Sequence, residues 1–344
     1  MRILVTGASS QVAFAILESL EGRRAGLELV GIASESDNSE AIRFDVFELV
    51  PQSADPGFRA VLERVIDAAR PDLVIPARDD DIGHLAALAS ARPELAATIV
   101  AGGPAAAEIV TDKSRTARFA RDRDLVWADT LVCGNPREAE HGAADRFAAR
   151  NPFPWIVKPA AGAGSRGVFV IIESRHAEAW LQRPGYIIQP LLGPARAEIA
   201  PLAPELGLPW FIDLGDPWLR SIQVVVLPDG SVGPSVCSDH TLRGGAPQTS
   251  AIADDPAATE IGRRWARALA AEGWRGSLNI QMKVDPRLGP VPFEINGRMS
   301  GATHGRLALG FDEVGIVLDA WAGWRLPRRP PTATKVHYRL RAYP

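Results

Sequence analysis

Short apolar runs alternate with helical stretches in the first hundred residues and predict an α/β domain. The apolar runs lie at 3–6, 27–33, 72–76 and 97–101, and the helical stretches lie at 12–20, 58–69 and 82–91. Strands that alternate with helices in this order are typical of a parallel sheet covered by helices. The sequence therefore predicts a Rossmann-like domain over residues 1–104, ended by Gly102-Gly103-Pro104.

The pattern changes beyond residue 104, where strands follow one another in hairpin order. One helical stretch covers 104–123, and strands are predicted at 154–159, 168–172, 186–190, 220–227 and 231–236. Further helices are predicted at 177–182, 257–272 and 314–322, and an edge strand at 335–342. The turn Pro228-Asp229-Gly230 between two strands is a hairpin signal. We expect one unit over 105–186 and a second over 187–344.

Two strands near the end of the chain carry polar side chains at alternate positions. They are Asn279-Ile280-Gln281 and Glu294-Ile295-Asn296-Gly297-Arg298. Alternate residues of a strand share one face, so the polar groups of each strand point the same way. A carboxylate, amide oxygens and a guanidinium suit a hard cation and the phosphates that it bridges. The alternative is an ordinary polar strand face, which any one-sided strand shows.

A glycine-rich loop lies between the strands predicted at 154–159 and 168–172. The loop runs from Gly162 to Gly167 and contains Ser165, and Lys158 precedes it. Small residues let backbone N–H groups approach phosphate closely, and a lysine beside the loop can neutralise phosphate charge. The loop lacks the GxxxxGK[ST] pattern, so a flexible turn is an equal alternative. Lys113 and Lys158 also have an alternative interpretation, as surface lysines whose charged groups are solvated.

Composition narrows the class of protein. The chain has 344 residues, 46% of them hydrophobic, and a formal net charge of -3. That charge argues against nucleic-acid wrapping or a polybasic membrane anchor. Cys133 and Cys237 lie far apart in sequence, which favours two reduced thiols over a disulfide or zinc site. With no apolar run of bilayer length and no signal-peptide pattern, we expect a cytoplasmic protein.

Three other chemistries find little support in the sequence. The turn Thr6-Gly7-Ala8-Ser9-Ser10 resembles the opening of a short-chain dehydrogenase, but no tyrosine has a lysine four residues later. Serine hydrolase chemistry would need a GxSxG elbow, which is absent. His240 and His304 lie beside candidate site segments, although a lone histidine near a site is more often structural.

Taken in chain order, these segments resemble the ATP-grasp superfamily. The resemblance is carried by Asp112-Lys113, Ile156-Val157-Lys158-Pro159, Gly162 to Val168, Ile188-Gln189-Pro190, Asn279-x-Gln281 and Glu294-x-Asn296-x-Arg298. The sequence is similar in particular to the large chain of carbamoyl-phosphate synthase, but it has a single grasp unit. The resemblance implies a Rossmann-like pre-grasp domain, then a small lobe and a large lobe with ATP between them.

The resemblance also implies which residues bind nucleotide. Lys113 and Lys158 match the lysines that contact ATP phosphates. The mobile loop that closes over the phosphates is matched by Gly162, Gly164, Ser165 and Gly167. The hinge that reads adenine is matched by Gln189, Pro190, Leu191 and Leu192. A proline-rich insertion over 193–219 stands where an acidic ribose ligand is usual, and Glu198 and Glu205 are candidates without a good register.

The metal and acyl-phosphate ends of the site are implied in the same way. Glu294, Asn296 and Gln281 match the ligands of two magnesium ions, for which manganese can substitute, and Gln281 is neutral where the family often has a carboxylate. Arg298 matches the arginine that meets the acylphosphate or its carboxylate precursor. Arg243 is a further candidate for that role, and a loop arginine in solvent is the alternative.

The resemblance implies an ATP-dependent carboxylate–amine ligase that forms an amide through an acylphosphate and releases ADP. Two alternatives stay open: a nucleotide-binding regulatory or assembly protein without ligase activity, and a bicarbonate-activating enzyme that forms carboxyphosphate. Expected partners are a small carboxylic acid and an amine, with no nucleic acid and no membrane. Family members are commonly dimers, so a homodimer is one expected assembly.

Overall fold

The computed structural model describes residues 1–35, 41–134, 142–162, 167–193, 218–243 and 246–338. Its first sheet has four strands, in the order β3-β2-β1-β4, and every neighbouring pair is parallel. The strands are β1 (Arg2–Thr6), β2 (Glu28–Ala33), β3 (Val46–Leu49) and β4 (Leu73–Pro76). The predicted parallel sheet is therefore confirmed.

Two details of this sheet differ from the prediction. Strand β3 was not predicted; it is a four-residue edge strand that leaves Val46 40% and Leu49 59% exposed. The strand predicted at 97–101 is wrong, because only an isolated bridge joins Ile99 to Val74. The segment runs beside β4 and hydrogen-bonds to it on both sides of that bridge, but it does not continue as a strand.

Helices cover the first sheet. They are α1 (Gln11–Leu20), α2 (Phe58–Ala69) and α3 (Asp79–Ala91), with short 3-10 turns at Ala41–Arg43 and Pro93–Leu95. Ser10 caps α1 by accepting a hydrogen bond from the Ala13 amide. Helix α3 begins three residues before its predicted start, because acidic side chains at Asp79, Asp80 and Asp81 stabilise the positive end of the helix dipole.

The helical stretch predicted at 104–123 is two helices, α4 (Pro104–Thr111) and α5 (Lys113–Asp122). Asp112 separates them in an extended conformation, and its Oδ1 accepts hydrogen bonds from the amides of Ser114 and Arg115 at 2.8 and 3.2 Å. An aspartate that satisfies the free amides of a new helix ends the preceding one. The break makes Lys113 the first residue of α5.

The second sheet has four antiparallel strands in the order β5-β8-β6-β7. They are β5 (Leu131–Val132), β6 (Trp155–Pro159), β7 (Phe169–Ile171) and β8 (Tyr186–Pro190), accompanied by α6 (Ala143–Arg150) and α7 (Ser174–Leu181). The predicted β6–β7 hairpin around the glycine-rich loop is confirmed. Strand β8 crosses the predicted boundary at residue 186 and pairs throughout with this sheet.

The third sheet has six antiparallel strands in the order β13-β12-β9-β10-β11-β14. They are β9 (Trp218–Val226), β10 (Val232–Arg243), β11 (Ala246–Ile252), β12 (Gly276–Asp285), β13 (Gly289–Asn296) and β14 (Lys335–His337). The remaining helices are α8 (Pro256–Ala271), α9 (Thr303–Ala308) and α10 (Glu313–Ala322). Strand β9 begins at Trp218, inside the proline-rich insertion over 193–219. The rest of that insertion, with Glu198 and Glu205, lies outside the described residues.

Buried apolar clusters join these sheets. Helix α8 packs Trp265 and Leu269 against Ile222 of β9 in one core. Helix α10 places Val317 and Leu318 in the same core as the helix α1 residues, so the end of the chain packs on its first sheet. This arrangement brings the carboxyl ends of β1 and β4 up to the third sheet. Among the described residues, no helix is both long and apolar enough to cross a bilayer.

Candidate active site

The two polar strands are neighbours in the third sheet. Strand β12 pairs antiparallel with β13, with Asn279 opposite Asn296 and Gln281 opposite Glu294. Residues directly opposite in an antiparallel pair project from the same face, so the four polar side chains form one group, as the alternation predicts. A bulge follows Gln281 and shifts the register beyond it.

Two cavities meet at this group. The smaller has a volume of about 190 Å³ and lies between the second and third sheets. It is lined by Lys113, Ile156, Lys158, Pro159, Gly162, Val168, Gln189, Pro190, Leu191, Leu192, Lys283, Phe293 and Glu294. Seven residues that the resemblance assigns to nucleotide binding thus line one cavity. Lys283 also lines it, and the sequence reasoning missed it because a strand lysine carries no distinctive signal.

The larger cavity has a volume of about 730 Å³ and opens onto the first sheet. The candidate metal and acyl-phosphate residues Gln281, Glu294, Asn296 and Arg298 line it. Its far wall comes from the loops that follow β1 and β4 and from the first turns of α1 and α3, and it includes Ser10, Gln11, Arg78, Asp79 and Asp80. Glu294, Gly162 and Pro159 line both cavities, so the two spaces adjoin there.

Lysines and a carboxylate concentrate charge where the cavities adjoin. Lys113 Nζ lies 3.4 Å from Glu294 Oε1 and donates a hydrogen bond to the Gly162 carbonyl at 2.9 Å. Lys158 Nζ donates to the Phe293 carbonyl at 3.1 Å and lies 5.0 Å from the centre of the Phe293 ring. Lys113 lies on α5, Lys158 on β6 of the second sheet and Glu294 on β13 of the third sheet, so a helix and both sheets contribute charge.

Burial and charge shift the pKa values of this group in different directions. Burial lowers the pKa of Lys158 to about 8, with Glu294 opposing the shift and Lys113 adding to it. Burial alone would raise the pKa of Glu294, but Lys113, Lys158 and Arg298 outweigh it, and the pKa is lowered. Glu294 is therefore ionised at neutral pH and available as an oxygen ligand.

Arg298 forms an ion pair that the sequence reasoning missed. Its Nε and Nη2 both donate to Asp79 Oδ2, at 2.9 and 2.5 Å, and the two side chains are only 13% and 14% exposed. Arg298 Nη2 also lies 3.4 Å from Asn296 Oδ1. The first turn of α3 thus reaches the strand that carries the candidate metal ligands. The only signal in the sequence was a run of three aspartates after a strand.

The floor of the larger cavity is a network of hydrogen bonds around a buried arginine, which the sequence reasoning also missed. Arg306 is 1% exposed, and all five of its N–H groups have acceptors within the protein. The acceptors are the side chains of Ser238, Gln223, Ser300, Ser221 and His240. Gln223 passes a further hydrogen bond to Glu313 at 2.5 Å, which links the arginine to a buried carboxylate.

His240 lines the larger cavity, whereas His304 is not among its lining residues. Burial, assisted by Arg306, holds the pKa of His240 well below its usual range. Because arginine can only donate, His240 Nε2 is an acceptor, and Nδ1 carries the proton that is donated to Ser250 Oγ at 2.6 Å. His304 packs instead between the rings of Phe14 and Tyr338.

The hinge residues form the end of the smaller cavity. Gln189 is 2% exposed, and its side-chain amide donates to Thr130 Oγ1 at 3.0 Å, which fixes the amide orientation. The Leu191 amide donates to the Pro154 carbonyl at 3.0 Å. Gly162 and Gly167 flank the glycine-rich loop with φ values of 110° and 72°, a backbone region that favours glycine.

Three candidate residues lie beyond what the structure describes. Gly164 and Ser165 of the glycine-rich loop fall outside the described residues, as does the side chain of Arg243. The backbone of Arg243 ends β10, where it pairs with Ala246 of β11. The roles of all three stay predictions.

The donor set fits magnesium. Among the described residues, no group of three or more His, Cys, Asp and Glu side chains gathers at one point, so a cage of protein carboxylates is not formed there. Mg²⁺ is usually held by one or two carboxylates together with substrate phosphates and water. Ionised Glu294 with the amide oxygens of Asn296 and Gln281 matches that preference, since all three line one cavity.

Solved structures share this architecture. The biotin carboxylase of Campylobacter jejuni, in its beta-gamma-ATP complex, is 16% identical with a TM-score of 0.65, over 94% of this chain and 72% of that one. The N5-carboxyaminoimidazole synthetase of Staphylococcus aureus with ADP is 12% identical with a TM-score of 0.68, over 95% and 78%. The L-amino acid ligase of Bacillus licheniformis is 13% identical with a TM-score of 0.63, over 96% and 77%.

These neighbours are ATP-grasp enzymes, so the chain has the ATP-grasp fold that the sequence predicts. At such low identity the likeness shows the fold alone. No protein-family profile matches the sequence, and no curated protein has a significantly similar sequence. The carbamoyl-phosphate synthase type remains a loose comparison.

Proposed function

We propose that this protein is an ATP-dependent carboxylate–amine ligase that forms an amide through an acylphosphate and releases ADP and phosphate. The observation that carries the proposal is the junction of the two cavities at Glu294, Gly162 and Pro159. The nucleotide candidates line one cavity and the acyl-phosphate candidate Arg298 lines the other. A phosphoryl group at the junction would pass from nucleotide to acid over a short distance.

The residues at the junction suit phosphoryl transfer, which depends mainly on positioning and charge stabilisation. Lys113 and Lys158 would bind the transferring phosphate, because they approach the junction from two different elements. Arg298 would meet the carboxylate of the acid and then the acylphosphate. The amine would attack the acyl carbon and displace phosphate, while the enclosing walls exclude water.

Two magnesium ions, or manganese in their place, would be held by Glu294, Asn296 and Gln281. Bound there, the metal would neutralise phosphate charge. The neutral Gln281 leaves Glu294 as the one carboxylate in this ligand set, so metal affinity would depend strongly on it. The homodimer and the cytoplasmic location inferred from the sequence stay predictions.

Bicarbonate activation is a second candidate, because two of the fold neighbours are a biotin carboxylase and an N5-carboxyaminoimidazole synthetase. The larger cavity argues for the ligase, since about 730 Å³ far exceeds the room that bicarbonate needs. ADP release that depends on bicarbonate and needs no organic acid would favour this second candidate.

The test is a screen of pooled carboxylic acids and amines for ADP release, followed by mass identification of the product. We expect an amide whose mass equals acid plus amine minus water. Glu294→Gln should lower turnover by at least about a hundredfold, because it removes the carboxylate of the metal site. Glu260→Gln is the matched control, since Glu260 pairs with Arg267 on an exposed helix face.

Two results would contradict the proposal. Near-normal turnover in Glu294→Gln would refute the assigned metal site. Tight ATP binding without ADP release for any acid and amine would instead favour the nucleotide-binding protein without ligase activity.

A further inference from the structure

Asp79 has one satisfied and one unsatisfied carboxylate oxygen. Its Oδ2 accepts two hydrogen bonds from Arg298, whereas its Oδ1 is buried and has no partner in the structure. Leaving a buried polar atom unpaired lowers the stability of the folded protein. Such an atom in a native site calls for an explanation, and strain held for function is one of the common ones.

The hydrogen bonds of Arg298 leave one side of its guanidinium group available. Nε and Nη2 are held by Asp79 Oδ2, Nη2 also contacts Asn296 Oδ1, and Nη1 donates to the Met299 carbonyl at 3.0 Å. A guanidinium has five N–H donors. One N–H of Nη1 therefore has no acceptor among the described residues, and Arg298 lines the larger cavity.

The pair also joins distant parts of the chain. Asp79 begins α3, whereas Arg298 follows β13, and 219 residues separate them in sequence. Without Asp79, the guanidinium would lose two of its hydrogen bonds and would be held only by the Met299 carbonyl and the longer contact with Asn296 Oδ1. A bidentate or fixed arginine contact is effective because the planar group is oriented before the ligand arrives.

We propose that Asp79 is a positioning residue that holds the Arg298 guanidinium so that its Nη1 edge meets the anionic group of the substrate. This inference rests on the proposed function, because it takes the anion at Arg298 to be the acylphosphate or its carboxylate precursor. In this role Asp79 acts through Arg298 and not on the substrate itself.

Two possible roles of Asp79, a source of negative charge and a positioning residue for Arg298, predict opposite effects of removing its carboxylate. If Asp79 only adds negative charge, Asp79→Asn removes a repulsive charge and strengthens anion binding. If Asp79 positions Arg298, the same change replaces the hydrogen bonds to a carboxylate with weaker ones to a neutral amide, loosens the guanidinium and weakens anion binding. The sign of the change in affinity therefore separates the two roles.

The experiment titrates inorganic phosphate into the protein saturated with MgADP and measures the dissociation constant of phosphate by calorimetry. Phosphate stands for the phosphoryl group of the acylphosphate. We expect Asp79→Asn and Arg298→Lys each to weaken phosphate binding by about tenfold, the lower end of the loss seen when a supporting partner is removed. The double variant should be no weaker than Arg298→Lys, since Asp79 acts through the arginine.

Controls separate positioning from general damage. Asp67→Asn is the matched control, because Asp67 forms an exposed 2.7 Å pair with Arg92 at the other end of α3. The affinity for MgADP and the unfolding midpoint should stay near wild-type values in Asp79→Asn. If that variant does not fold, Asp79→Ser removes the same carboxylate with a smaller side chain.

Three outcomes would overturn the inference. They are unchanged or tighter phosphate binding in Asp79→Asn, an equal further loss in the Arg298→Lys background, and no phosphate binding to the wild-type MgADP complex. Failure of the proposed function has a different signature, namely no MgADP binding or no ADP release with any acid and amine.

Discussion

The low pKa of Lys158, together with the proposed contact between this lysine and the nucleotide phosphates, predicts that nucleotide affinity depends on pH. The side chain is 7% exposed, and burial lowers its pKa to about 8 against the ordinary value of 10.5. Nucleotide phosphates would bring negative charge to the ammonium group and favour its protonated form. Raising the pH from 7 to 9 should therefore weaken binding of MgADP, because a growing share of the free protein must take up a proton to bind.

The magnitude follows from the pKa. With a free-protein pKa near 8 and a charged lysine in the complex, affinity falls about twofold at pH 8 and about tenfold at pH 9, relative to pH 7. At pH 8 about half a proton is taken up per bound nucleotide. Calorimetry at three pH values, in buffers of different ionisation enthalpy, measures both the dissociation constant and the proton uptake.

Two arginine variants complete this test. Lys158→Arg should remove the pH dependence, because arginine stays charged throughout this range. Lys335→Arg, on the exposed edge strand β14, should keep the wild-type dependence. A dissociation constant that stays flat from pH 7 to 9 in the wild type would refute the reasoning. So would an equal fall in affinity for Lys158→Arg.

Two further predictions concern stability. Gly262→Ala in α8 should destabilise the protein by about 1–3 kcal/mol, because an added Cβ would lie 2.6 Å from the Ile222 side chain. Gly83→Ala in α3 meets nothing within 4 Å and should stabilise the protein by about 0.5–1 kcal/mol. Urea unfolding measures both changes in the free energy of unfolding, and changes of the same sign would contradict the packing. The buried His240 resists protonation while the unfolded chain does not, so stability should fall as pH drops below 6.5. His240→Gln should show a shallower loss between pH 7 and 5 in urea unfolding, and parallel profiles would contradict this origin.

Buried strands were the part of the fold that the sequence revealed best. Strands β1 and β4 contain continuous apolar runs because sheet and helices cover them, and that burial fixes their composition. Strand β3 was not predicted, because an edge strand pairs on one side only and leaves Val46 and Leu49 exposed. The break between α4 and α5 at Asp112 was not predicted either. In the sequence a capping aspartate looks like any polar helix residue, and only the structure shows that its side chain accepts a hydrogen bond from the Ser114 amide.

The candidate site was visible where its geometry is local. The alternation of Glu294 and Asn296 is a property of one strand, so the pattern alone places them on one face, whereas Arg298 lies two residues beyond the end of β13. The ion pair with Asp79 and the floor built on Arg306 depend on contacts between elements far apart in sequence. No short-range pattern encodes such contacts, so the sequence could not have identified these residues.

The saturated hydrogen bonds of Arg306 bear on how the larger cavity could be redesigned. A guanidinium with five protein acceptors offers no donor to a new ligand, and replacing any acceptor would leave a buried donor unpaired. The floor is thus a poor place to alter substrate scope. The apolar wall residue Leu242 is only half-buried and carries no such network, so substitutions there would change the shape of the cavity with less effect on folding than changes in the floor.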